Sequence, residues 1–404
     1  MNNPQVALVP STTDNYKWKA FWVVALALFT MVMDFSVTGI ALPTIADDFS
    51  LSLSIVSWVA IAGALTISAL LLPLGRFADI AGRKRVHLIA MGLFAIGSVF
   101  AAASPNLQSL IGARVVMAIG GAMDQAVVMA IVTSVFPPGE RGKGLGLITT
   151  AVGTGGIAGP IIGGPLIELF GWRSVYIFMA IPTLISFTMA LFILDDKRIG
   201  TVRQIHRQPY DWVGAITSAT FLGLFIFLIS NPLNLGFASA PFLVLSCFAA
   251  LSLGIFIFRE LHTAAPMINL RLFQIPVFRW ATVSRFLGFF GNSPVFFLMP
   301  FYVQNVLGKT PSVVGMVTFI GAFFFAVTGA VSGRLSDRFG HRVFTIAGLG
   351  GATISSLICA QFTPTTPLYV IMSTLAVNGI SNGLWTAPNM SATLGAVDRV
   401  QYGI

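Results

Sequence analysis

Twelve apolar runs divided by short charged segments set the fold this chain can adopt. They cover residues 20–42, 55–74, 86–103, 110–136, 145–167, 175–194, 212–229, 242–258, 280–306, 313–331, 343–360 and 368–390. At about 1.5 Å per helical residue, runs of this length cross the ~30 Å of hydrocarbon in a bilayer. The composition agrees: 56% of residues are hydrophobic, 9% are charged, and the mean hydropathy is +0.87. A soluble domain does not look like this. The expected fold is an all-α, multi-pass membrane protein with the lipid bilayer as a permanent partner.

The net charge of +9 does not point to nucleic acid, because the basic residues sit in short segments between apolar runs, where they report topology. Placing the N-terminus in the cytoplasm puts Lys17, Lys19, the 76–85 cluster, Arg141, Lys143, the 197–207 linker, Arg259, Arg271, the 334–342 cluster and Arg399 on one side. The other side then holds only Arg173 and Lys309. The first run lacks a following small-residue cleavage site, so it reads as a retained helix behind a polar tail, residues 1–19. Cys247 and Cys359 both fall inside apolar runs, which leaves no disulfide or metal framework.

One charged segment occurs twice. Gly75, Arg76, Asp79, Gly82, Arg83, Lys84 and Arg85 are echoed by Gly333, Arg334, Asp337, Gly340 and Arg342, both in the pattern G-R-x-(A/S)-D-x-x-G-(R/H)-(K/R). Each copy lies between two membrane-length runs, so the chain contains two related halves. Gly75 and Gly82 are expected to permit a tight reversal. Asp79 is placed to accept from Arg76 or to favour a following helix N-terminus.

The copies are 333 − 75 = 258 residues apart, more than six helices need, and the surplus is a pair of inserted helices. The expected organisation is a six-helix bundle over 20–194, basic linkers with the inserted pair over 195–278, and a four-helix second bundle over 279–404. By this count two helices of the second half are absent, which reads as a fragment of a fourteen-helix design.

Charges at membrane depth are costly, and each is a functional candidate. Asp34 lies about 14 residues into its run, roughly 21 Å from the inner face, and Arg114 sits at a comparable depth, so the two can pair. Asp124 is about 15 Å nearer the cytoplasm. Arg285, near a helix end, can snorkel to the interface. The 258-residue offset carries Asp34 onto Asn292 and Asp124 onto Asn382. Asn378, Asn382, Trp385 and Asn389 share one helical face, which in lipid must turn to protein or to a wet cavity. The expected reading is cavity lining, with interhelical hydrogen bonding as the open alternative. In the fifth run, Gly155, Gly159, Pro160, Gly163 and Gly164 combine small-residue spacing for close packing with a proline.

The repeated segment resembles the signature loop of the major facilitator superfamily. Further resemblance is to its fourteen-helix drug:proton antiporter branch: the fifth-run glycines to the antiporter motif, the run ending Ala41-Leu42-Pro43 to the branch's first helix, and Trp172-Arg173 to its W-R pair. Arg114 matches the fourth-helix pattern, but Met117 and Ala118 stand where Gln and Gly are usual, and Asp124 has no counterpart. The resemblance implies a secondary transporter in the cell (inner) membrane, monomeric and without cofactor. The proton gradient would drive efflux of a small amphipathic or cationic molecule, and the two charged loops would gate the cytoplasmic side. The alternative is uptake of a small solute through Arg114 and Arg285. A membrane enzyme or sensor is disfavoured by the lack of a G-x-S-x-G, a paired His or Cys/His metal spacing. Gly308-Lys309-Thr310 lacks the earlier glycine of a phosphate loop.

Overall fold

The computed structural model describes residues 15–137, 140–196, 198–199, 211–231, 235–263 and 270–396. The polar tail before Asn15, most of the 195–210 linker and Asp398-Arg399 lie outside these residues. Twelve long helices follow in order: α1 Tyr16–Asp48, α2 Trp58–Ala81, α3 Arg83–Ala102, α4 Leu107–Val135, α5 Arg141–Phe170, α6 Arg173–Ile193, α7 Trp212–Ser230, α8 Ala240–His262, α9 Pro276–Phe301, α10 Pro311–Phe339, α11 His341–Cys359 and α12 Leu368–Gly395. A single turn, Leu53–Val56, precedes α2, and a π turn, Tyr302–Val306, continues α9. Eleven helical segments among the described residues are long and apolar enough to cross a membrane.

Packing sorts the helices into two groups. α1 lies against α4, α5 and α6, while α3 packs on α4 and α6, and α2 on α4. In the second group α9, α10 and α11 all pack on α12. The inserted helices α7 and α8 pair with each other, and α7 leans on α2, where Trp58 and Phe227 approach to 6.4 Å between ring centroids. The groups meet through α5 against α10 and α1 against α9.

The repeated segment is not the loop expected. Gly75 and Gly333 are helical, and so are the residues up to Ala81 and Phe339; the reversal is confined to one residue in each copy. Gly82 has φ 99° and ψ 126°, and Gly340 has φ 89° and ψ 140°. That half of backbone space is closed to most L-residues by contact between Cβ and the backbone, which leaves glycine as the residue that can make this turn. Gly75 therefore takes no part in the reversal. Asp79 and Asp337 lie in the last turns of α2 and α10, not at a helix start.

The fifth-run glycines position α5. A methyl group at Gly155 would meet the Phe29 carbonyl, at Gly159 the Ser36 Cβ, and at Gly163 the Val37 side chain. Three positions four residues apart thus let the α5 backbone lie directly on α1. Gly164 faces the other way, onto Pro311, Ser312 and Gly315 at the start of α10. α5 is consequently the helix through which the two groups touch, and both Pro160 and Pro165 lie within it.

Candidate functional site

The site is built around α1, where Asp34 and Arg114 of α4 are 6% and 5% exposed. One guanidinium nitrogen, Nη1, donates to both carboxylate oxygens of Asp34, at 2.8 and 2.7 Å. Nε of Arg114 donates to the Val59 carbonyl of α2 at 3.4 Å, and the guanidinium carbon lies 5.9 Å from the centre of the Tyr176 ring on α6. Nearby, Thr38 of α1 and Tyr176 of α6 are buried beside the pair, their hydroxyls within reach of each other. Four helices thus converge on one buried ion pair. Removing two charges from water is repaid only if the pair stays intact, so a change of charge on Asp34 must disturb the seating of α1 against α4.

Asp124 does not join this pair. It is fully buried between α3 and α4, with Oδ1 2.6 Å from Nδ1 of His87, itself fully buried. His87 is not among the candidates that the sequence pattern singles out. A countable signal existed: His87 lies 103 − 87 = 16 residues before the α3–α4 connection and Asp124 lies 124 − 106 = 18 after it, which puts them level on antiparallel neighbours.

The amide face of α12 is closed into protein. Asn378 Nδ2 donates to Asn292 Oδ1 of α9 and to Ser355 Oγ of α11, both at 2.9 Å. Asn382 Nδ2 donates to the Asn378 side-chain oxygen at 3.0 Å, and Trp385 Nε1 to Asn382 Oδ1 at 3.1 Å. Asn389 Nδ2 reaches Ser284 Oγ at 2.9 Å and the Ala281 carbonyl at 3.1 Å. In this conformation the stripe holds α9, α11 and α12 together. Arg285 turns Nη1 to Met390 Sδ at 2.8 Å and lies near the Phe289 ring.

At the turns, Arg83 donates to the carbonyls of Ala130 and Ile199, and Lys84 to that of Leu191, binding the start of α3 to α4 and to α6. Arg85, Arg334 and Arg342 are exposed. The side chains of Arg76, Asp79 and Asp337 lie outside the described set. Among the described residues, the hydrogen bonds between the two groups sit at the opposite end. Gln304 Nε2 donates to the Ile40 carbonyl at 3.0 Å, Thr44 bonds Gln304 at 3.3 Å, and the Ser312 amide donates to Glu168 at 3.2 Å. The same end carries Trp172 Nε1 and Arg173 Nη1 on Asp48, at 3.0 and 2.8 Å.

Residues 24–401 match the sequence profile described as Major Facilitator Superfamily. The chain belongs to that superfamily. The riboflavin transporter RibZ of Clostridioides difficile is 28% identical over 96% of this chain and 83% of its own length. The multidrug efflux pump LfrA of Mycolicibacterium smegmatis is 27% identical over 98% of this chain and 78% of its own. The fold is also similar to a crystal structure of a bacterial homolog of the human lysosomal transporter Spinster, inward-facing and unoccupied. There the TM-score is 0.69 at 18% identity, over 96% of this chain and 77% of that one. The superfamily membership makes the chain a multi-pass membrane transporter for a small molecule, and not an enzyme.

Proposed function

We propose that this transporter exports small amphipathic or cationic compounds in exchange for protons, with its N-terminus in the cytoplasm of a bacterial cell and its spans in the inner membrane. The observation that carries the reading is the buried Asp34–Arg114 pair. Asp34 takes a proton or a cationic substrate in turn. Either one releases Arg114 from its anionic partner, and α1 then shifts against α4. Because α5 is seated on α1 through Gly155, Gly159 and Gly163 and on α10 through Gly164, displacement of α1 is passed to the contact between the halves. Asp124 is a second acidic site, the Gly82 and Gly340 segments gate the cytoplasmic side, and the Asn378 to Asn389 face lines the path once the halves part. The protein works as a monomer, with the proton gradient in place of any cofactor.

Similarity to a multidrug efflux pump supports export. Similarity to a riboflavin transporter supports a second reading, uptake of a neutral solute. Everted vesicles from a pump-deleted host, with ethidium and riboflavin as probes and the pH gradient imposed in each direction, separate the two. Export predicts ethidium accumulation in everted vesicles that collapses with the pH gradient. Riboflavin movement without ethidium movement would favour uptake.

A further inference from the structure

The first half holds a buried ionisable pair for which packing gives no account. His87 and Asp124 meet at 2.6 Å in the seam between α3 and α4, with Nε2 of the ring and Oδ2 of the carboxylate buried and unpartnered. The seam around them is tight: a methyl at Gly120 would strike the Ala90 carbonyl, and one at Gly97 would strike Met117. Below the pair, Arg83 ties the first turn of α3 to the Ala130 carbonyl. His87 is therefore five residues from the Gly82 reversal, on the stretch that any movement of that turn must carry with it.

The duplication supplies an internal control. Adding 258 places His87 on Thr345 and Asp124 on Asn382. In the second half the same seam is closed without charge: Thr345 Oγ1 donates to the His341 carbonyl of its own helix, and Asn382 bonds Asn378 and Trp385. Gly348, the counterpart of Ala90, packs on Ser381 and Trp385. The fold does not require an ion pair here, and a buried pair is poor value for stability against a neutral isostere. A carboxylate facing a neutral ring would leave a net charge in an apolar seam, whereas one proton beyond the ring's own, shared by the two groups, leaves none.

We infer that His87 and Asp124 form a second proton-binding site, holding one proton across the Nδ1···Oδ1 contact while α3 and α4 are packed and yielding it when the seam opens to water. Proton release and movement of the Gly82 turn are then one event. The inference rests on the proton-coupled reading above and deepens its assignment of Asp124. The other titratable groups on the surrounding helices are separately placed. Arg83 and Lys84 reach carbonyls, Arg114 is held by Asp34, and Tyr176 and Arg173 of α6 lie toward the far end. Arg76 and Asp79 occupy the end of α2, Arg141 and Lys143 the start of α5, and Lys17 and Lys19 the start of α1.

The test uses the full-length protein in nanodiscs with isotopically labelled histidine. The chain has four histidines, so His87→Asn identifies the signal. The expected result is a ring with protons on both nitrogens, the one on Nδ1 strongly hydrogen-bonded, that falls back to a single N–H in Asp124→Asn. The double variant His87→Thr with Asp124→Asn, which copies the neutral seam of the second half, is expected to unfold at the wild-type temperature. In proteoliposomes with ethidium as probe and a pH dye inside, that double variant is expected to move about one proton fewer per ethidium, since the shared proton is lost with the pair. A His87 signal indifferent to Asp124→Asn, or an unchanged proton count in the double variant, overturns the site and leaves Asp34 standing. If the wild type moves no protons with ethidium, the Asp34 reading falls, and the His87 signal alone decides whether the pair shares a proton.

Discussion

Gly82 and Gly340 stand 340 − 82 = 258 residues apart and make the same turn, each ending one helix and starting the next within a single residue. Neither has a close neighbour where a side chain would go: a Cβ at Gly82 would lie 4.0 Å from Asp196 Oδ1, and one at Gly340 would find open space. Alanine at either position should therefore be penalised by backbone conformation alone, at about 1–3 kcal/mol. Alanine at Gly75 or Gly333, both helical, meets only ordinary contacts at 3.9 and 3.8 Å, and should be neutral or gain up to about 1 kcal/mol of helix propensity. Denaturant unfolding in detergent reads both pairs. Equal losses at all four glycines would show that the reversal is wider than one residue.

The α5 glycines separate steric need from mere smallness. Gly159→Ala drives a methyl into Ser36 and the Met33 carbonyl, and Gly155→Ala into the Phe29 carbonyl, whereas Gly156→Ala points into open space. Overpacking of this kind costs about 1–3 kcal/mol. Thermal unfolding should fall for the first two variants and hold for the third, with transport lost along the same division. A uniform response across the three would detach α5 from the role of linking α1 to α10.

Arg114 is the costly member of its pair. Arg114→Gln leaves the Asp34 carboxylate in an apolar setting, and breaking a buried pair this way typically costs about 3–5 kcal/mol. Asp34→Asn with Arg114→Gln together should recover much of that loss, because no unpaired charge remains. Stability measured over the double-mutant cycle checks this, and additive losses would mean the two side chains are not energetically coupled.

The inserted hairpin is clasped from outside the membrane. Asp211 accepts from the Gly214 amide at the start of α7 and from Arg259 Nη2 of α8, each at 3.0 Å. Burial pushes its carboxyl up, but the Gly214 amide and the Arg259 guanidinium outweigh burial and hold it below its ordinary value. A lowered carboxyl contributes stability that is complete above the ordinary value of about 3.9 and vanishes as pH drops through the lowered one. The protection factors of the amides over 212–230, with the intrinsic base-catalysed exchange rate divided out, should accordingly be flat above about pH 5 and fall in acid. Asp211→Ala should abolish that pH step and cost about 1 kcal/mol for the cap. An acid step surviving in the variant would assign it to another group.

Membrane-spanning segments were legible because lipid admits so few solutions: each apolar run became a helix, with ends near those expected except where α2 runs on from 74 to Ala81 and α10 from 331 to Phe339. The halves were legible because charges between apolar runs are rare enough for a repeat to stand out. The reach of α2 and α10 through their charged segments was not, since Gly75 and Gly82 look alike on paper and only backbone geometry tells the helical glycine from the turning one. His87 was hidden by its basic neighbours Arg83, Lys84 and Arg85, which read together as a surface cluster. Gln304, which bridges the halves at Ile40 and Thr44, gave no signal, because a single amide in the last residues of an apolar run has no periodic context. The amide face of α12 was visible as a stripe, but what it faces depends on how α9, α11 and α12 pack.

The measurement that bears most directly on this account is ethidium transport by the full-length protein in proteoliposomes under an imposed pH gradient, comparing wild type with Asp34→Asn and recording proton flux in the same vesicles. Wild type should carry ethidium and protons in opposite directions, and Asp34→Asn should lose both fluxes while remaining folded. Ethidium and proton exchange undiminished in Asp34→Asn would contradict the assignment of coupling to the Asp34–Arg114 pair.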